Sequence, residues 1–93
     1  MRLLLIEDNT RLAALIRDGL QDQGFAVDWC DTLDKVKRLR QLVEYDLLLL
    51  DLGLPDGNGL SFIRVMRRQE DMTPILIITA RGELDDRVVR ARR

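Results

Sequence analysis

The stretch Leu47-Leu48-Leu49-Leu50-Asp51, followed by Leu52-Gly53-Leu54-Pro55-Asp56-Gly57-Asn58-Gly59, decides the fold. Four leucines favour a helix by intrinsic propensity. Here, however, they are closed in by Asp46 and Asp51, and such a short bounded run reads as a strand buried on both faces. The segment 53–59 carries three glycines and a proline in seven residues and reads as a turn. Asp51 stands between them. A charge at the lip of a buried strand is costly unless it has a partner, so Asp51 is the first candidate functional residue.

Working outward, the same grammar repeats. Residues 3–6 (Leu-Leu-Leu-Ile) form a short apolar run ended by Glu7-Asp8. Leu12, Leu15, Ile16 and Leu20 then recur at helical spacing, and Gly24 stops that helix. Residues 25–30 read as a second strand, with Asp28 marking some exposure. Leu33, Val36, Leu39 and Val43 mark a second helix, capped by Asp31 or Thr32. A third helix after Gly59 sets Leu60, Phe62, Ile63, Val65 and Met66 on its apolar side. Pro74 opens a fourth strand over 75–79, and a last helix-like segment carries Leu84, Val88 and Val89. Alternation of strand and helix predicts an α/β, doubly wound parallel sheet with right-handed crossovers, in one domain spanning 1–93.

Composition removes several function classes. Fifteen basic and sixteen acidic residues give a formal net charge of −1, which argues against a nucleic-acid-coating surface. No apolar run is long enough to span a membrane. The acids at 7 and 8 come too soon for a secretory signal. A single cysteine, Cys30, forms no internal disulfide and suits a reducing compartment, so the reading places the chain in the cytoplasm. With no histidine in the chain, Ser-His-Asp triads and His-based zinc sites are excluded.

In open α/β sheets, ligands bind beyond the carboxyl ends of the strands. Glu7-Asp8 ends the first strand, Asp51 the third and Thr79-Ala80 the fourth. If the first and third strands are neighbours, three carboxylates share one crevice and repel. The lysines, Lys35 and Lys37, both fall on the second helix, where with Arg38 and Arg40 they read as a solvated face. A divalent cation is then the natural compensator, and hard oxygen ligands select Mg²⁺, Mn²⁺ or Ca²⁺. The plainer alternative for Asp8 is a cap on the first helix. Trp29, Cys30, Phe62 and Met66 read as packing residues.

These residues together resemble a family. Glu7-Asp8, then Asp51 with its Leu-Pro-x-x-Asn-Gly turn, then Ile77-Ile78-Thr79-Ala80-Arg81 are similar to the three conserved segments of bacterial response-regulator receiver domains. The resemblance covers 1–89 and is closest to regulators carrying a C-terminal winged-helix DNA-binding domain. It implies a flavodoxin-like fold with strand order 2-1-3-4-5. It also implies a phosphoacceptor at Asp51, served by a sensor histidine kinase. Mg²⁺ would be held by Glu7, Asp8, Asp51 and the Gly53 backbone carbonyl, with Thr79 and Ala80 contacting the phosphoryl group. Arg81 and Asp86 fall on the surface that the family uses for dimers. Such a domain serves signal transduction and, in its parent, transcription; it modifies itself and is not a turnover enzyme.

The family's fifth strand, fifth helix and strand-five lysine have no counterpart here, and 90–93 reads Arg-Ala-Arg-Arg. The expectation is therefore a C-terminally truncated receiver of strand order 2-1-3-4 without an effector domain. Its fourth strand would be an open edge and one face of the third and fourth strands would lose its cover, inviting a homodimer or other self-association. A module that only self-associates, without phosphoryl transfer, is the alternative function. No contact with nucleic acid or membrane is expected of this domain. Competing motifs fail: a haloacid-type phosphatase needs Asp-x-Asp where this chain has Glu7-Asp8-Asn9-Thr10, and neither a Gly-x-Gly-x-x-Gly nor a P-loop occurs.

Overall fold

A computed structural model describes residues 1–78 and the strand at 89–91. The element order is β1 (Arg2–Ile6), α1 (Thr10–Asp22), β2 (Ala26–Cys30), α2 (Leu33–Leu42), β3 (Leu47–Asp51), β4 (Gly53–Leu54), β5 (Gly57–Asn58), α3 (Gly59–Arg68), β6 (Ile75–Ile78) and β7 (Val89–Ala91). The main sheet runs β2-β1-β3-β6-β7, and β4 and β5 make a small separate hairpin. The four strands β2, β1, β3 and β6 pair in parallel, so the doubly wound reading holds.

The all-leucine strand sits at the centre of this order. Leu4, Ile6, Leu48 and Leu50 point to one face, and α2 and α3 cover them with Leu33, Val36, Ile63 and Met66. Leu5 and Leu49 point to the other face, where Ala13, Ile16 and Leu20 of α1 pack. Each fully buried leucine or isoleucine contributes about 1.5–3 kcal/mol, so this central run holds both layers. Among the described residues α1 is the only helix on its face. Leu15, assigned by spacing to that face, is exposed instead, and the small Ala13 takes the contact. Leu60 and Val65 of α3 are likewise exposed, leaving Ile63 and Met66 as the buried pair.

Local chemistry fixes the helix ends. Asn9 caps α1, its side-chain oxygen accepting the Leu12 N–H at 3.0 Å. The chain leaves α1 through Gly24, whose φ of +94° is cheap only for glycine. Thr32 caps α2, and Asp31 pairs with Lys35 instead. At the foot of the sheet, the Arg2 guanidinium pairs with Asp28, and the Tyr45 hydroxyl donates to the same carboxylate at 2.6 Å. This clamp ties the start of β1 to β2 and to the approach of β3. Burial, then that hydrogen bond, push the Tyr45 hydroxyl up to about 12. Arg40 of α2 pairs with Asp71, and Arg67 donates to the Asp71 and Thr73 carbonyls, so the loop before β6 is pinned to both helices.

Two expectations at the C-terminal end need correction. Val89, placed by spacing on a helix, lies in β7. The fourth strand of the parallel set, β6, is not an edge: β7 pairs with it antiparallel, Ile75 opposite Ala91 and Ile77 opposite Val89. An open apolar strand is a template for any available strand, and this chain supplies its own. A parallel return needs a crossover of about a dozen residues or more, whereas only 79–88 separate the two strands, so the antiparallel direction is the reachable one. Self-association through an exposed β6 edge therefore loses its basis.

Asp56, in the turn between β4 and β5, accepts the backbone N–H groups of Leu33 at 2.9 Å and Asp34 at 3.1 Å. It thereby fastens the segment after Asp51 to the N-terminus of α2, where the helix dipole favours an anion. The Leu33 N–H holds the Asp56 carboxyl below its ordinary value. A depressed carboxyl contributes stability above its ordinary pKa and loses it as pH falls through the lowered one. Asp56→Ala should lower Tm by several degrees at pH 7. The gap from wild type should close as pH drops below about 3.8 in parallel thermal melts.

Candidate functional site

The acid-bearing strand ends meet at one rim because β1 and β3 are direct neighbours in register, Ile6 opposite Leu50. One residue further on, Glu7 follows β1 and Asp51 closes β3. Glu7, Asp8 and Asp51 each offer a carboxylate oxygen, and these oxygens all lie within 4.8 Å of one another. Glu7 is only 3% exposed and is the one buried charged residue among those described. Asp8 is exposed and Asp51 is half-buried.

Several bonds hold Glu7 in place. Its N–H donates to the Cys30 carbonyl at 3.0 Å, extending the β1–β2 ladder. Its Oε2 accepts the Asn9 N–H at 2.9 Å. Its own carbonyl accepts the Trp29 indole N–H at 2.8 Å. Because Asn9 is the α1 cap, the capping alternative for Asp8 falls away. Gly59, at the start of α3, lets that helix approach the strand end: a Cβ there would lie 3.1 Å from Leu52 Cδ2 and 3.3 Å from Leu50 Cδ2. Gly53, two residues past Asp51, opens the β4–β5 hairpin and is exposed at the same rim. Thr79, Ala80, Arg81 and Asp86 lie outside the described residues.

Electrostatics make the cluster a site and not an ornament. Burial pushes the Glu7 carboxyl up from 4.5, the Asn9 N–H partly offsets this, and the Asp51 and Asp8 charges push it further. Two unit charges at such a separation repel by about 3–4 kcal/mol at an effective dielectric constant of about 20. An oxygen-only donor set of this geometry suits a small hard cation that keeps some of its water, which is the behaviour of Mg²⁺. Cys30 is no competitor: burial pushes its thiol up to about 11, so it is not a thiolate at neutral pH. The sequence did not expose the Trp29 and Asn9 contacts. The Asn at helix start was a readable capping signal, whereas nothing in the spacing of Trp29 announced its bond to Glu7.

A raised carboxyl costs the folded state as pH climbs from the ordinary value through the raised one. Glu7→Gln should therefore leave the melting temperature of the metal-free protein unchanged below about pH 4.5 and raise it at neutral pH, by about 4–8 °C for each kcal/mol of strain relieved. Mg²⁺ at ten times its Kd should stabilise the wild type by about 1.4 kcal/mol and leave Glu7→Gln unmoved. Melts with and without Mg²⁺ across pH read both effects.

Comparison with known proteins places this geometry. The response regulator receiver domain model matches residues 3–92. The chain is similar to the response regulator protein PmrA of Pseudomonas aeruginosa, 46% identical over 90 residues that span 95% of this chain and 40% of PmrA. It is similar to the transcriptional regulatory protein CusR of Escherichia coli K12, 38% identical over 88 residues, spanning 95% of this chain and 39% of CusR. The chain thus spans about 40% of the length of these curated relatives. Among solved structures, the non-phosphorylated HemR receiver domain of Leptospira biflexa superposes with a TM-score of 0.77 at 33% identity, covering 87% of this chain and 65% of that one. The MaeR response regulator bound to beryllium trifluoride superposes with a TM-score of 0.82 at 30% identity, covering 91% and 71%. Reaching across almost every residue of the chain, and joined to the same parallel strand order, the match makes this protein a member of the response regulator receiver domain family of two-component signalling.

Proposed function

We propose that the chain is a phosphoacceptor in a two-component relay, receiving a phosphoryl group on Asp51 from a sensor histidine kinase. The observation that carries this reading is the approach of the Glu7, Asp8 and Asp51 carboxylates to within 4.8 Å, with Glu7 buried. The likeness to MaeR, which binds beryllium trifluoride, supports it, because that ion imitates a phosphoryl group on a carboxylate oxygen.

In this reading an Asp51 oxygen attacks the phosphorus of the kinase's phosphohistidine. A P–O bond to Asp51 forms, the P–N bond breaks, and the imidazole leaves as a neutral ring, keeping the proton already carried by its other nitrogen. Glu7, Asp8, Asp51 and the Gly53 carbonyl would hold Mg²⁺, which would supply neutralisation of the negative charge that gathers when a carboxylate meets a phosphoryl group. Glu7 is oriented through its Asn9 bond. Asp51 is aimed by the register of β3 between β1 and β6. Contact with the transferred group is assigned to Thr79, through its hydroxyl, and to Ala80. The chain modifies and demodifies itself and does not turn over a separate substrate. Arg81 and Asp86 are assigned to a dimer or switch surface, and the proposed setting is the cytoplasm, with an output in transcription regulation like that of the longer relatives. No described helix is long and apolar enough to cross a membrane.

Incubation with Mg²⁺ and acetyl phosphate tests the reading by intact mass. The expected result is one phosphoryl adduct, removed by EDTA during labelling and absent from Asp51→Asn, which keeps its cooperative melt. An adduct that persists in Asp51→Asn, or no adduct on folded wild type, would overturn it.

A further inference from the structure

Glu7 stands one residue beyond the last β1–β2 pair, Ile6 opposite Cys30. Its N–H still finds a ladder partner in the Cys30 carbonyl. Its carbonyl does not, because β2 ends at Cys30 and the chain turns through Asp31 and Thr32 into α2. A carbonyl on a residue only 3% exposed must be paired by something else. Trp29 does this. It sits opposite Leu5 on the α1 face of the sheet, and its indole Nε1–H reaches along the strand to the Glu7 carbonyl at 2.8 Å. The indole thus takes the place of the missing ladder bond and sets the orientation of the peptide that carries the buried ligand.

We propose that Trp29 is a positioning residue of the cation site, its indole N–H holding the Glu7 main chain so that the Glu7 carboxylate faces Asp8 and Asp51. The inference rests on the cation-binding reading above and adds a residue to it. Neighbours that orient a metal ligand typically govern affinity by about 10–100-fold. Packing alone predicts otherwise: Trp29→Phe keeps an aromatic ring against Leu5 and α1 and removes only the donor and part of the ring. Trp29 is also the chain's single tryptophan, so its indole resonance and emission report this one bond.

The test is a MgCl₂ titration of the ¹⁵N-labelled wild-type chain, with Trp29→Phe in parallel. The expected result is a saturable shift of the Trp29 indole N–H resonance, with the same midpoint as the backbone amides of Asp8 and Leu52. Trp29→Phe should melt cooperatively and bind Mg²⁺ about tenfold or more weakly. If those amides saturate while the indole resonance stays still, and Trp29→Phe binds within about twofold of wild type, the inference is overturned and the cation site stands. If no resonance saturates, the cation reading and the inference fail together. Should Trp29→Phe not fold, the wild-type indole resonance alone decides.

Discussion

Repulsion among three carboxylates is the constraint that the rest of this molecule is built to bear. The sheet could not avoid it: once β1 and β3 pair in parallel with Ile6 opposite Leu50, the residues that follow them share a rim. Leucine and isoleucine burial on both faces supplies the rigidity that keeps the acids together. The supporting contacts then divide the work. Asn9 fixes the Glu7 carboxylate, Trp29 fixes its main chain, and Gly59 lets α3 close in beside Asp51. Such an arrangement is a liability in the metal-free protein and a binding energy when a divalent cation is present, which is how a stability cost becomes a function.

Much of this was legible in the sequence for a simple reason. Short apolar runs ending in acids, separated by helical periodicity, point to a doubly wound parallel sheet, and the β2-β1-β3-β6 order is the one that the family resemblance implies. The Leu47–Leu50 run could be placed at the centre because no polar residue interrupts it. Glu7, Asp8 and Asp51 could be brought together because strand ends in a parallel sheet share a side. What spacing could not supply was the fate of individual side chains. Leu15, Leu60 and Val65 keep the helical phase but miss the core, where Ala13, Ile63 and Met66 take the buried positions. Asp56 looked like an ordinary turn residue, and only the fold brings it under the N-terminus of α2.

The C-terminal end carries the other lesson. A segment with helical spacing at Val89 became a strand because β6 offered unpaired backbone, and pairing outweighed local pattern. The sheet therefore reaches five strands by a route that differs from the parallel repeat of its first four. The rim that holds Glu7, Asp8 and Asp51 is set by β1 and β3, two strands inside that exchange, so the site does not depend on the direction of β7.

A single divalent cation seated on the Glu7, Asp8 and Asp51 oxygens is what the whole arrangement requires. Paramagnetic Mn²⁺, added in substoichiometric steps to the ¹⁵N-labelled chain, tests it most directly. Broadening should centre on the amides of residues 7–9 and 51–53 and be displaced by excess Mg²⁺. Broadening centred instead on Asp31, Asp34 or Asp56, or spread without a focus, would contradict this seat for the cation.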